Sequence, residues 1–118
     1  MSTEVASVAL KIYQGGTFRE GFTFKNRLKK PYDLTGYRAR MQIREAAGTL
    51  VADLNTENGG IALGGPAGTI DLYIADEDTA KMTFASAKYD LFLLAPNGDA
   101  YPIIAGTVTL TKGQTQNA

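Results

Sequence analysis

Cysteine, histidine and tryptophan are all missing from this 118-residue chain. Without cysteine there is no disulfide, no thiolate nucleophile and no thiol-ligated metal. Redox compartment therefore leaves no trace in the sequence. Without histidine the chain lacks the side chain most used for proton transfer near neutral pH and the commonest metal ligand. The Ser-His-Asp and Cys-His arrangements and the usual zinc sites are excluded with it. Net charge is missing too, since 12 basic residues balance 12 acidic ones. A dedicated nucleic-acid binder would carry a positive excess, so none is expected as a partner. No run of about 18 apolar residues occurs, so no membrane-spanning helix is expected. The opening segment MSTEVASVALKIY has no basic stretch before its apolar residues. A signal peptide is accordingly not expected, and the chain reads as made and assembled in a cytoplasm.

What is present is alternation. Most of the chain reads with period two, the pattern of half-buried strands. Val8, Leu10 and Ile12 share one parity, and Gln14-Gly15-Gly16 forms a turn. Phe18, Phe22 and Phe24 oppose Arg19, Gly21, Thr23 and Lys25. A polar, basic connection covers 26–30, and Pro31 to Gly36 turns the chain into the most regular strand, 37–45. There Tyr37, Ala39, Met41 and Ile43 are expected inside and Arg38, Arg40, Gln42 and Arg44 outside. Ala46-Ala47-Gly48 ends a hairpin, and Leu50, Ala52 and Leu54 make the next inward parity. A turn over 55–60 leads to a short strand, 61–63. The glycine- and proline-rich 64–68 excludes a regular element. Ile70, Leu72 and Ile74 face inward, as do Tyr89, Leu91, Leu93 and Ala95. The segment 75–83 is the one helical piece, with three acids at its start to suit the helix dipole. Pro96-Asn97-Gly98-Asp99 is a hairpin turn. The last strand, 101–111, slips parity near Gly106, where a bulge is expected.

About eight short strands with frequent turns specify an all-β, immunoglobulin-like antiparallel sandwich with one short helical turn, in a single domain over 1–118. A small closed barrel is the alternative. Residues 1–6 and 112–118 are expected to be loose.

Candidate chemistry is sparse. Asp76, Glu77 and Asp78 are read as helix-start acids, because they lack the spacing that wraps a calcium ion. The glycine pairs at 15–16 and 59–60 and the GGPAG at 64–68 lack a following Lys-Ser/Thr and read as turns. No cofactor, metal or catalytic residue is expected, and the chain is not read as an enzyme. A carboxylate-only hydrolase is the remaining enzymatic possibility. The arginines Arg38, Arg40 and Arg44 read first as the wet face of a strand, paired with acids such as Asp53, Asp71 or Asp90, and second as an interface. Lys25, Arg27, Lys29 and Lys30 read first as a solvated loop, with docking to an acidic protein surface as the alternative. Phe92 and Leu94 fall on the outward parity of the strand 87–95 and are contact candidates unless that strand is covered on both faces. Tyr13, Tyr73 and Tyr101 are possible sugar-stacking residues.

Six strings occur in order: IYQGGTF (12–18), DLTGYRARMQIRE (33–45), LNTENGGIAL (54–63), GTIDLYIADEDTAKM (68–82), YDLFL with PNGD (89–99) and GTVTL (106–110). Together they resemble a family of small virion proteins of tailed phages, similar to the N-terminal domain of the phage upper baseplate protein (BppU). The resemblance covers about Ile12 to Leu110. Its most specific part is the Asp-Leu-Thr-Gly-Tyr turn followed by the alternating strand. Gly16 stands where members often have Asp, and Phe92 where they usually have Glu. The resemblance implies an immunoglobulin-like sandwich in a non-enzymatic virion component, multicopy and symmetric, contacting other phage tail, neck or capsid proteins. A tail- or baseplate-associated adaptor or fibre-attachment subunit is the first expectation. A capsid decoration protein is the second and a carbohydrate-binding adsorption module the third. The implied location is the virion, assembled in the host cytoplasm.

Overall fold

The structure, a computed structural model, describes residues 5–114. Nine strands form two sheets: β1 (Ala6–Ser7), β2 (Leu10–Tyr13), β3 (Phe18–Thr23), β4 (Arg38–Arg44), β5 (Leu50–Asn55), β6 (Ile61–Leu63), β7 (Thr69–Ile74), β8 (Ser86–Leu94) and β9 (Ala100–Thr111). The first sheet has the order β1-β9-β8-β4-β5, with β2 following β1 along the same edge of β9. The second has the order β3-β7-β6. They pack face to face as a sandwich and do not close into a barrel. One departure from antiparallel pairing concerns the chain start, because β1 and β2 both run parallel to β9.

The core follows from the alternation. Met41, Ile43, Ile70, Leu91, Leu93 and Val108 have no exposed surface at all. Full burial of such side chains stabilises by roughly 1.5–3 kcal/mol each before the entropy of ordering is set against it. Glu20 shares the inward parity of Phe18 and Phe22 yet lies exposed opposite Leu72 on the edge strand β3. An inward-pointing charge on an edge strand discourages sheet-to-sheet aggregation.

Two bulges reset the pattern. Ile43 pairs with Ala52 but Arg44 pairs with Leu50, so Val51 is the extra residue. Leu50, expected inward with Ala52 and Leu54, is therefore turned out and 45% exposed. In β9, Leu91 pairs with Ile104 and Phe92 with Pro102, so the bulge lies at Ile103 rather than Gly106. The shift buries both Ile103 and Ile104. Pro102, which has no N–H for a ladder, sits beside it. Gly106 answers a different need. A Cβ there would overlap the Val8 carbonyl, where the segment between β1 and β2 crosses it. The Val8 amide donates to the Ala105 carbonyl at 3.0 Å, and the buried Tyr89 hydroxyl donates to the Val8 carbonyl at 2.6 Å.

The helical piece is a short α1 (Asp76–Ala80) joining β7 to β8 across the sandwich. Its one buried polar side chain, Thr79, pins the β2–β3 turn. The Thr79 hydroxyl donates to the Gly16 carbonyl at 2.8 Å and accepts from the Gly15 amide at 3.1 Å. Gln14 Nε2 donates to the Met82 carbonyl at 2.7 Å. The segment 64–68 contains one regular turn after all, a 3-10 turn at Gly65–Ala67. Gly68 ends it at φ 69°, where a Cβ would lie 2.7 Å from the Phe24 carbonyl oxygen. Of the ends read as loose, residues 1–4 and 115–118 lie outside the described residues. Ala6 is paired to Ile104, while Lys112 donates to the Thr83 carbonyl and Gly113 to Gln14 Oε1.

Candidate interaction surface

The outer face of the first sheet carries the residues singled out by their parity. On β4 the arginines alternate with the core as expected. Across β4 and β8, Arg38 sits opposite Leu94, Arg40 opposite Phe92 and Gln42 opposite Asp90. On the far side, Phe92 faces Pro102 and Leu94 faces Ala100. β8 is a central strand, but its outer face is not covered by a further layer among the described residues. Phe92 and Leu94 are half-buried, with Arg40 and Pro102 on the strands beside Phe92 and Arg38 and Ala100 beside Leu94. They form an apolar strip with Pro102, flanked by Arg38 and Arg40.

The arginines themselves are occupied. Arg40 pairs with Asp53 at 3.2 Å, and Gln42 Nε2 donates to the same carboxylate at 3.2 Å. Burial pulls the Asp53 carboxyl upward, but hydrogen bonds from Arg40, Gln42 and Asn55 outweigh it and hold the group below the ordinary carboxylate range. Arg38 meets Glu57, from the 55–60 turn, at 3.4 Å, with both side chains well exposed. Arg44 donates to Gln42 Oε1 at 2.9 Å and to the Gly48 carbonyl at 2.9 Å. Of the acids expected as partners, Asp53 serves Arg40, Asp90 lies opposite Gln42, and Asp71 belongs to the second sheet, opposite Gly21. Pairs this exposed contribute about 0–1 kcal/mol.

Lys29 and Lys30 are not brought to this face. They sit on a loop leaving the second sheet, closed by a bridge between Lys25 and Pro31. The Asn26 side-chain oxygen accepts from the Leu28 and Lys30 amides at 2.9 and 3.1 Å, and Lys29 takes a left-handed φ of 62°.

The three tyrosines weighed for sugar stacking do not make one platform. Tyr13 points out from the first sheet and Tyr73 out from the second, where Arg19 lies 4.5 Å from its ring centroid. Tyr101 shares the inward parity with Leu93 and donates to Asp99 at 2.9 Å. An aromatic group that the sequence reading missed lies at that end of the sandwich. Phe24 and Tyr32 rings are 5.2 Å apart, and Tyr32 meets Tyr37 edge-on at 6.2 Å. The Tyr32 hydroxyl beside it, then burial, push the Tyr37 hydroxyl up to about 12. The signal available was the recurrence of Phe24, Tyr32 and Tyr37 around a turn, which period-two reading passes over.

A groove of about 500 Å³ lies between β5 and the segment after α1, lined among others by Glu45, Leu50, Tyr73, Asp78, Lys81 and Phe84. Among the described residues, no group of three or more acidic side chains converges as a metal site would require, Asp76, Glu77 and Asp78 included. No helix there is long and apolar enough to cross a membrane. No family model matches the chain, and no curated protein matches it in sequence.

Proposed function

We propose that this chain is a non-enzymatic structural protein of a tailed-phage particle, a tail- or baseplate-associated adaptor that works through protein contacts. Two things support the reading: the ordered motifs quoted above, and a sandwich of the kind that they imply. The observation that carries it is the Phe92–Leu94–Pro102 strip. An apolar pair on the uncovered face of a central strand, beside arginines already held by their own partners, is suited to docking against another subunit. Phe92 is also the position at which the motif departs from its usual glutamate, so the contact would be particular to this chain.

The test is made on purified particles. The chain is expected in them at the low copy number of a tail part, and Phe92→Glu is expected to melt like the parent while its occupancy falls about tenfold or more. Normal occupancy of Phe92→Glu would remove the outer-face contact from the proposal. Particles that lack the chain would remove the virion role altogether, and a copy number matching the capsid lattice would move it from tail to head.

A further inference from the structure

We infer that the basic loop after β3 docks into the groove beside β5 of a second copy of this chain, so that copies associate head to tail. The contact uses surfaces other than the Phe92 strip and stands independently of the virion role.

The loop is built as a knob. Leu28 is 78% exposed, more than any other large apolar side chain among the described residues. The two amide bonds to the Asn26 side chain and the Lys25–Pro31 bridge hold it at the tip. Lys25, Arg27, Lys29 and Lys30 surround it, all exposed. Among the described residues, the ion pairs Arg38–Glu57 and Arg40–Asp53 lie elsewhere and involve none of these four cations. Pre-ordering of the loop lowers the entropy cost of docking it.

The groove is the complement. Leu50, turned out by the Val51 bulge, and Tyr73 are both exposed large apolar residues on its lining. Glu45 and Asp78 line it as well; among the described residues Lys81 is the one cation of the lining, with Arg19 over the Tyr73 ring at 4.5 Å. It runs beside β5, an edge strand paired on one side only, whose other edge presents backbone groups to an incoming segment.

Topology prevents one copy from satisfying itself. The loop leaves sheet two next to the Thr23–Thr69 pair, whereas the groove lies beyond the opposite end of the same ladder, past Ile74. The molecule is 44 Å long. A chain with no net charge thus carries a cationic apolar knob at one end and an acidic apolar slot at the other. Such ends meet between copies, and because the two surfaces differ, the contact is heterologous and closes into a ring or continues as a filament.

Amide spectra of the full chain recorded against its own concentration, in salt of about 0.01 M where the Debye length is about 30 Å, read the contact directly. Shifts are expected at 25–31 and around Glu45, Leu50 and Asp78 together, with association weakened about tenfold or more in ~1 M salt. Leu28→Ser/Lys30→Ser and Asp78→Lys, all at exposed positions, are each expected to remain monomeric alone. Mixed, they are expected to form a 1:1 pair that does not grow, since one keeps its groove and the other its loop. Concentration-independent spectra up to about 1 mM, shifts at one surface without the other, variants that still associate alone, or a mixture that stays monomeric would each overturn the inference.

Discussion

β4 and β8 lie side by side in one sheet and obey the same alternation, yet their outer faces differ in kind. Arg38, Arg40 and Arg44 on β4 direct their guanidinium groups to Glu57, Asp53, Gln42 and the Gly48 carbonyl. Phe92 and Leu94 on β8 lie between Arg40 and Pro102 and between Arg38 and Ala100, with no further layer over them among the described residues. A polar face can satisfy itself within its own sheet, because hydrogen bonds form between adjacent strands. An apolar strip on a single layer stays half in water until a further layer arrives. The residues that look functional in the sequence, the arginines, are thus the ones already engaged. The less conspicuous pair beside them retains capacity to bind.

The contrast can be broken most severely from the inside. Met41→Asp puts an unpaired carboxylate where no surface is exposed, and a loss of several kcal/mol is expected, enough to abolish a cooperative thermal melt. A soluble variant with a sharp transition would reverse the facing of β4. A smaller effect tests the self-satisfied polar face. Asp53 has a depressed folded pKa, so the stability from its charged form is present above the ordinary value of 3.8 and is lost as pH falls through the lower folded value. Arg40→Ala is therefore expected to lower the urea midpoint by the equivalent of about 0.5–1 kcal/mol near neutral pH, and by progressively less as pH falls through the depressed folded value. A deficit that persists in acid would mean that Arg40 acts through its packing against Phe92 instead. The smallest effect belongs to Arg38→Ala. Its pair with Glu57 is exposed on both sides, and a change within about 0.5 kcal/mol is expected by the same measurement.

Much of this surface is legible without coordinates. The outward parity of Arg38, Arg40, Arg44, Phe92 and Leu94 follows from alternation, and so does the burial of Ala39, Met41, Ile43, Leu91 and Leu93. Their partners are not legible. Glu57 reaches Arg38 from a turn 19 residues away, and nothing in the local pattern singles it out from Asp71 or Asp90. The groove is hidden for a similar reason, since its apolar lining depends on Leu50 facing out against its own parity.

The sequence alone determined the class of fold, the inward and outward sets of each strand and the main turns, because side-chain polarity at spacing two is a local property of the chain. Tertiary structure alone decided the bulge at Val51, the placing of the β9 bulge at Ile103 rather than Gly106, the parallel docking of β1 and β2 on β9, the close approach at Gly106 and the Thr79 pin. Each of those depends on which strand lies alongside and in what register, and register is set by contacts between residues far apart in the chain.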